Sequence, residues 1–224
     1  MIKINGRLPT RLLAGMLASL LLAPALHARS LDTDKDDVVS FIAEMHDKHG
    51  LDPEMVRTTL AQAEIKQGIL DAISKPAERA LKWFEYRPIF VTEKRISQGH
   101  EFWDTNHDLV TRIGEEYGVA PQVLVAIVGV ETYYGRITGG HRVLDALSTL
   151  AFEYPPRSKF FRKQLEEFFV LSGESGVDLL SATGSYAGAM GSPQFIPSSF
   201  RAYAVDEDGD GRIDLWNNWQ DVIA

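Results

Sequence analysis

The chain has 224 residues, no cysteine, and 31 acidic against 23 basic side chains, for a formal charge of −8. No disulfide can brace it, so the folded part must rest on a hydrophobic core, which a chain of this length can build. The acid excess argues against nucleic acid as a partner, because a phosphate-binding surface needs the opposite sign.

Lys3, Arg7 and Arg11 make a basic start, Leu12 to Leu22 an apolar run, and small residues then allow cleavage after Ala25 or Ala28. These are the three parts of a secretory signal. Residues 1–28 are therefore read as a signal peptide and 29–224 as one domain. The apolar run is shorter than the roughly 20 residues that span a bilayer. With no cysteine to carry lipid, no lipid anchor is expected, and the mature protein should be exported and soluble. Cleavage would remove three basic and no acidic residues, leaving a still more acidic chain.

Asp32 to Asp37 reads as a short mobile acidic tether. Val38, Phe41, Ile42 and Met45 then recur at helical spacing, with Gly50 as a stop. Asp52-Pro53 pairs an N-cap with a proline at the first helical position and opens a second helix to about Ala63. Trp83 to Pro88 reads as an aromatic-rich loop that breaks the helical pattern. A long helix is predicted over Glu93 to Tyr117, ended by Gly118. Pro121 opens an apolar helix that carries Glu131, with Gly135 closing it; its length and punctuation favour helix over a buried strand. Ser158 is placed to cap an amphipathic helix with Phe161, Leu165 and Phe168 on one face. Alternation of period two is scarce, so the fold class is mainly α.

Glu131 stands at the end of the run Val123-Leu124-Val125-Ala126-Ile127-Val128. A carboxylate in apolar surroundings loses hydration, which pushes its pKa upward. A carboxyl kept protonated near neutral pH is what a general acid needs. The alternative is a glutamate that escapes to solvent at a helix end. Further on, Gly184-Ser185-Tyr186-Ala187-Gly188-Ala189-Met190-Gly191-Ser192-Pro193-Gln194-Phe195-Ile196-Pro197 is dense in small residues, which let backbone approach a ligand closely. Ser185 and Gln194 bring donors and acceptors suited to hydroxyl and acetamido groups. Met190 and Phe195 are read as an apolar wall. Such a stretch also suits tight helix packing, and it lacks the lysine of a phosphate loop.

Asp206, Asp208 and Asp210 fall at positions one, three and five of an EF-hand loop, Gly211 at six, and Arg212 at seven, where only its carbonyl would serve. Asn217 stands where the twelfth-position glutamate belongs. Six acidic residues between Asp206 and Asp221 would repel one another without a cation, so Ca²⁺ is expected in a structural role. A solvated acidic turn is the alternative.

Glu-Thr-Tyr-Tyr-Gly, followed by Tyr-Ala-Gly-Ala-Met-Gly-x-x-Gln-Phe-x-Pro-Ser-Ser, resembles the lytic murein transglycosylase B family. The likeness runs from about Phe41 to the last residue, through Trp83-Phe84-Glu85-Tyr86-Arg87 and Tyr154-Pro155-Pro156-Arg157. It implies a lysozyme-like helical domain that acts on peptidoglycan glycan strands in the periplasm, with cell-wall synthesis enzymes as candidate partners. The implied reaction cleaves the β-1,4 bond between N-acetylmuramic acid and N-acetylglucosamine without hydrolysis, leaving a 1,6-anhydro sugar. Glu131 would be the single catalytic acid/base, with the substrate's acetamido group replacing a second carboxylate, akin to substrate-assisted exceptions to the two-acid rule.

By the same resemblance Ser185 and Gln194 line sugar subsites, Tyr86 is a cleft aromatic, and Arg157 lies near the peptide-bearing side. Family members close the metal loop later, with an aspartate whose counterpart is Asp221. The family continues beyond the helix that ends here, supplying further cleft tyrosines and an asparagine, which implies a chain truncated at its C-terminus. Two alternatives stay open: a lysozyme-type hydrolase, with Asp145 or Glu153 as second acid, and an inactive glycan- or Ca²⁺-binding fragment.

Overall fold

A computed structural model describes residues 29–75 and 81–224; the signal peptide read over 1–28 lies outside them. The chain enters as β1 (Arg29–Ser30), paired antiparallel with β2 (Glu64–Ile65) in the register Arg29 to Ile65 and Ser30 to Glu64. The acidic segment after β1 is held rather than free. Leu31 is buried and donates its N–H to the Ala63 carbonyl at 2.9 Å, while Arg57 bonds the Thr33 carbonyl at 3.0 Å and Asp34 at 3.1 Å. An acidic run misleads here because one buried leucine at its start anchors it.

Helix α1 (Asp36–His49) buries Val38, Phe41, Ile42 and Met45 on one face, and Gly50 ends it in the left-handed conformation at φ 66°. Helix α2 (Pro53–Leu60) opens with Asp52 accepting the Glu54 N–H at 3.0 Å. It stops three residues before Ala63, because the chain must turn to place β2 beside β1. Helix α3 (Gln67–Ser74) follows.

The aromatic segment is helical, not a loop: α4 covers Trp83–Phe90. Glu85 accepts the Lys82 N–H at 2.9 Å and so satisfies a free donor at its start. Pro88 is compatible with helical φ and forgoes only one bond in so short a helix. No residue of α4 is buried.

Helices α5 (Glu93–Tyr117) and α6 (Pro121–Thr132) meet at a sharp bend of 112° around Gly118, which takes φ 70°. Among the described residues no single helix is long and apolar enough to cross a membrane. With α10 (Trp219–Ile223) they enclose a small core of Phe102, Val110, Ile113, Val125, Val128, Val222 and Ile223. Only part of the apolar run on α6 is used for this, since Val123, Ile127 and Val130 stay exposed.

The main core centres on α7 (Val143–Glu153), in which every residue from Val143 to Phe152 is buried. Periodicity does not single out this helix because it is covered all round. It packs with α1, α2, α3 and α8 (Ser158–Ser175), sharing Phe41, Leu60, Ile69, Leu147, Phe161, Leu165 and Phe168. The N-cap of α8 is Arg157 at the end of a 3₁₀ turn (Pro155–Arg157); Ser158 is the first helical residue and caps nothing. Strand β3 (His141–Arg142) pairs antiparallel with β4 (Thr183–Gly184), which leads into the small-residue loop. Helix α9 (Pro197–Tyr203) ends that loop and is clamped to α8: Arg201 pairs with Glu167 and with Glu174, the latter at 2.7 Å, and Gln164 accepts the Ser198 N–H at 3.0 Å.

Candidate active site

Helix α6 delivers Glu131 one residue before its end. The side chain is exposed rather than walled in by its apolar neighbours. Surrounding protein still displaces enough water to hold its carboxyl above the ordinary carboxylate range. No hydrogen bond or ion pair among the described residues reaches it, so nothing there favours the charged form.

The helix does not run on to Gly135. Tyr133 and Tyr134 take left-handed conformations at φ 55° and 59°, and Gln194 does so at φ 54°. These are the only non-glycine residues with positive φ among those described. Such conformations cost roughly 1–3 kcal/mol each and persist only where surroundings impose them. All three fall inside the two sequence motifs, so the turn after Glu131 and the small-residue loop are both held against local preference.

The loop is bonded to that turn. Buried Thr132, next to Glu131, donates its hydroxyl to the Ser192 carbonyl at 2.9 Å and accepts the Gly135 N–H at 3.1 Å. Gln194 Nε2 donates to the Thr138 carbonyl at 3.0 Å and to the Gly191 carbonyl at 2.9 Å. A Cβ at Gly135 would fall 2.8 Å from the Trp219 ring, so glycine is required where turn, loop and α10 converge. Gln194 is therefore held to the segment that follows Glu131, and the Ser185 backbone lies against Gly139 of the same segment. Ser185 Oγ accepts the N–H groups of Ala187 and Ala189 at 3.3 and 3.1 Å. Its own proton is left for an outside acceptor, and the Gln194 carbonyl, with both amide hydrogens used, is left for an outside donor.

Met190 is not a wall of this site. It is fully buried in the main core, and its backbone exchanges hydrogen bonds with Phe195 at 2.8 and 3.0 Å, leaving Phe195 half-buried against that core. An apolar side chain in a small-residue loop reads alike whichever way it points. Tyr86 lies on α4 between Trp83 and Phe90, at centroid distances of 6.3 and 5.0 Å. Arg157 is exposed and lies over Phe160 and Phe161, 4.3 and 5.2 Å from their centroids.

Neither acid left open as a partner is available. Asp145 accepts two bonds from Arg142 and the Glu64 N–H, and Glu153 pairs with Arg29 and Lys35.

Arg95 was not singled out by the sequence. From the start of α5 its guanidinium donates to the Gly129 carbonyl at 2.8 Å and lies 4.4 Å over the Tyr133 ring and 5.3 Å over Phe90. The Tyr134 hydroxyl donates to the Arg95 carbonyl at 3.1 Å, and a Cβ at Gly129 would fall 2.8 Å from the Tyr134 ring. A glycine inside an apolar helix signals such a close approach.

In the acidic loop, Asp206, Asp208 and Asp210 present carboxylate oxygens within 4.8 Å of one another, and no basic side chain among the described residues pairs with them. Gly211 turns the loop at φ 88°. Asp221 is not in that cluster. It is buried, and its two oxygens accept the N–H groups of Glu207 and Asp214 at 3.0 and 2.8 Å, fastening the loop to α10 from behind.

The family description "Transglycosylase SLT domain" matches residues 33–224, nearly all that is described. The chain belongs to this family. A transglycosylase relative, the membrane-bound lytic murein transglycosylase B of Escherichia coli (strain K12), is 40% identical over 186 residues, 79% of this chain and 52% of that protein. The chain thus spans about half the length of that relative.

Catenated lytic transglycosylase SltB1 from Pseudomonas aeruginosa superposes with a TM-score of 0.82 at 54% identity, over 86% of this chain and 64% of its own. Lytic transglycosylase Slt35 of Escherichia coli in complex with calcium gives 0.79 at 38%, over 88% and 62%. SltB3 from Pseudomonas aeruginosa in complex with NAG-anhNAM-pentapeptide gives 0.76 at 29%, over 83% and 49%. The mainly helical, lysozyme-like architecture is that of these transglycosylases.

Proposed function

We propose that this protein is a peptidoglycan lytic transglycosylase with Glu131 as its single acid/base. The observation that carries the reading is the unpaired, partly desolvated carboxyl of Glu131 at a helix end tied to the Ser185 and Gln194 loop. Protonated Glu131 would give its proton to the glycosidic oxygen as the bond from C1 breaks, releasing the N-acetylglucosamine hydroxyl. The resulting carboxylate would take the proton of the muramyl C6 hydroxyl as that oxygen bonds C1, closing the 1,6-anhydro ring and restoring the acid. The substrate's acetamido group would steady the cationic centre, in keeping with the engagement of Asp145 and Glu153 elsewhere. Ser185 would donate to, and Gln194 accept from, polar groups of the sugar. Tyr86 offers a ring face to it, and Arg157 a cation to a peptide carboxylate. Capture of NAG-anhNAM-pentapeptide by SltB3 supports glycan strands as the polymer, and the basic, apolar and small-residue leader supports a periplasmic setting.

The deciding experiment is mass spectrometry of soluble products from purified peptidoglycan. Anhydromuropeptides are the expected result; reducing-end products would make the protein a hydrolase.

The donor set of Asp206, Asp208 and Asp210 with the Arg212 carbonyl is all oxygen and uncompensated, which fits a hard cation such as Ca²⁺. Such an ion would neutralise the loop beside α10. Chelator should lower Tm by about 5–10 °C relative to Ca²⁺ at a hundredfold excess over Kd, with recovery on readdition. A melting curve indifferent to both would leave the loop a solvated turn.

A further inference from the structure

Resting on the reading of Glu131 as the acid, we propose that Arg95 is a positioning residue that fixes the acid relative to the aromatic helix α4. Three elements meet on this one side chain. Its guanidinium donates to the carbonyl of Gly129, two residues before Glu131, and so satisfies part of the free C-terminal end of α6. The same planar group lies over Tyr133, two residues after Glu131, and over Phe90 of α4. Its own carbonyl is held by the Tyr134 hydroxyl.

Glu131 is therefore bracketed by two contacts of one guanidinium, one on the helix and one on the left-handed turn. Through Phe90, which packs 5.0 Å from Tyr86, the bracket also sets how far the aromatic face stands from the acid. Helix α4 has no buried residue of its own, so this contact fixes its placement more than a core does. A lysine keeps the charge but loses both the flat stacking surface and the fork of donors.

The test compares wild type, Arg95→Lys and Glu131→Gln on purified peptidoglycan, with amide hydrogen exchange on each. Arg95→Lys should lower kcat about 10- to 100-fold, the cost of misplacing a reacting group by about 1 Å, while KM moves by less than about threefold. Exchange at the Tyr134 amide, which bonds the Val128 carbonyl, should quicken, while amides of α7 stay protected. A role in folding alone would lower kcat only in step with the folded fraction and would expose α7 as well. Wild-type kcat, or unchanged protection at Tyr134, overturns the proposal. Failure of wild type to form anhydro products, or an active Glu131→Gln, overturns the functional reading instead. Exchange at Tyr134 then still decides whether Arg95 holds the turn.

Discussion

Glu131→Gln is expected to abolish product release, by at least about 10²- to 10⁴-fold, and at the same time to raise thermal stability at neutral pH. The first effect follows because an amide cannot deliver or recover the proton. The second follows from desolvation, which lifts the carboxyl above its ordinary value of 4.5 in the folded chain. Folded protein then binds this proton more tightly than unfolded chain does. Stability accordingly falls as pH rises from 4.5 through the raised value, and the penalty stands in full above it. The neutral amide escapes that penalty, so its advantage should be present at pH 7 and fade as the solution is acidified below the ordinary carboxylate range. Wild-type cleavage should decline over the same upper window as the acid ionises. Paired melting curves and product assays across pH read both effects. Turnover by the amide variant would remove Glu131 from the mechanism, and a pH-independent stability difference would remove desolvation as the cause.

Gly139→Ala should be among the most damaging single-methyl additions in the chain. Gly139 takes φ 95°, and a Cβ there would overlap the Gly184 carbonyl oxygen and fall 2.6 Å from the Ser185 nitrogen. Both obstacles are backbone, which cannot rotate away. Backbone strain and overpacking together should cost about 3 kcal/mol, or a fall in Tm of about 6–12 °C. Cleavage should fall further than stability, because β4 would be pushed off the turn that holds Gln194 through the Thr138 carbonyl. Gly140→Ala is the matched control: a Cβ there meets nothing within 4 Å. Equal melting temperatures for the two variants would refute the assigned crowding.

Helices are legible where punctuation and apolar spacing agree, as in α1 of the main core and in α5 and α6, which carry the site. Glu131 stood out because charge is rare beside so apolar a run, although much of that run faces solvent. Among the readings that differ from the structure, three do so for separable reasons. Trp83 to Pro88 reads as a loop because its aromatic residues lack helical spacing, yet an eight-residue helix forms there and accommodates Pro88. Met190 reads as a cleft wall but is buried, because sequence cannot tell which side of a loop faces the core. Asp221 reads as a ligand by resemblance, whereas its oxygens here bind backbone N–H groups outside the Asp206, Asp208 and Asp210 cluster, and sequence spells the two roles alike. Arg95 is not legible because the two contacts that tie it to the acid lie 34 and 38 positions away on another helix and turn, and only Phe90 is near in sequence.

The division of the apolar interior into two cores has a bearing on how such a site can be retuned. Glu131, the proposed proton donor, hangs from the smaller core, built on α5, α6 and α10, whereas Ser185 sits on a loop seated in the larger one through Met190 and bonded at Ser192 to the carbonyl of buried Leu215. On that reading chemistry and grip would be moored to separate foundations, joined along a seam of a few bonds at Thr132 and Thr138. If Glu131 and Ser185 act as proposed, substitutions deep in either foundation should shift the acid or the sugar-binding loop by fractions of an ångström while leaving the other in place, so that reaction rate and strand affinity would drift independently.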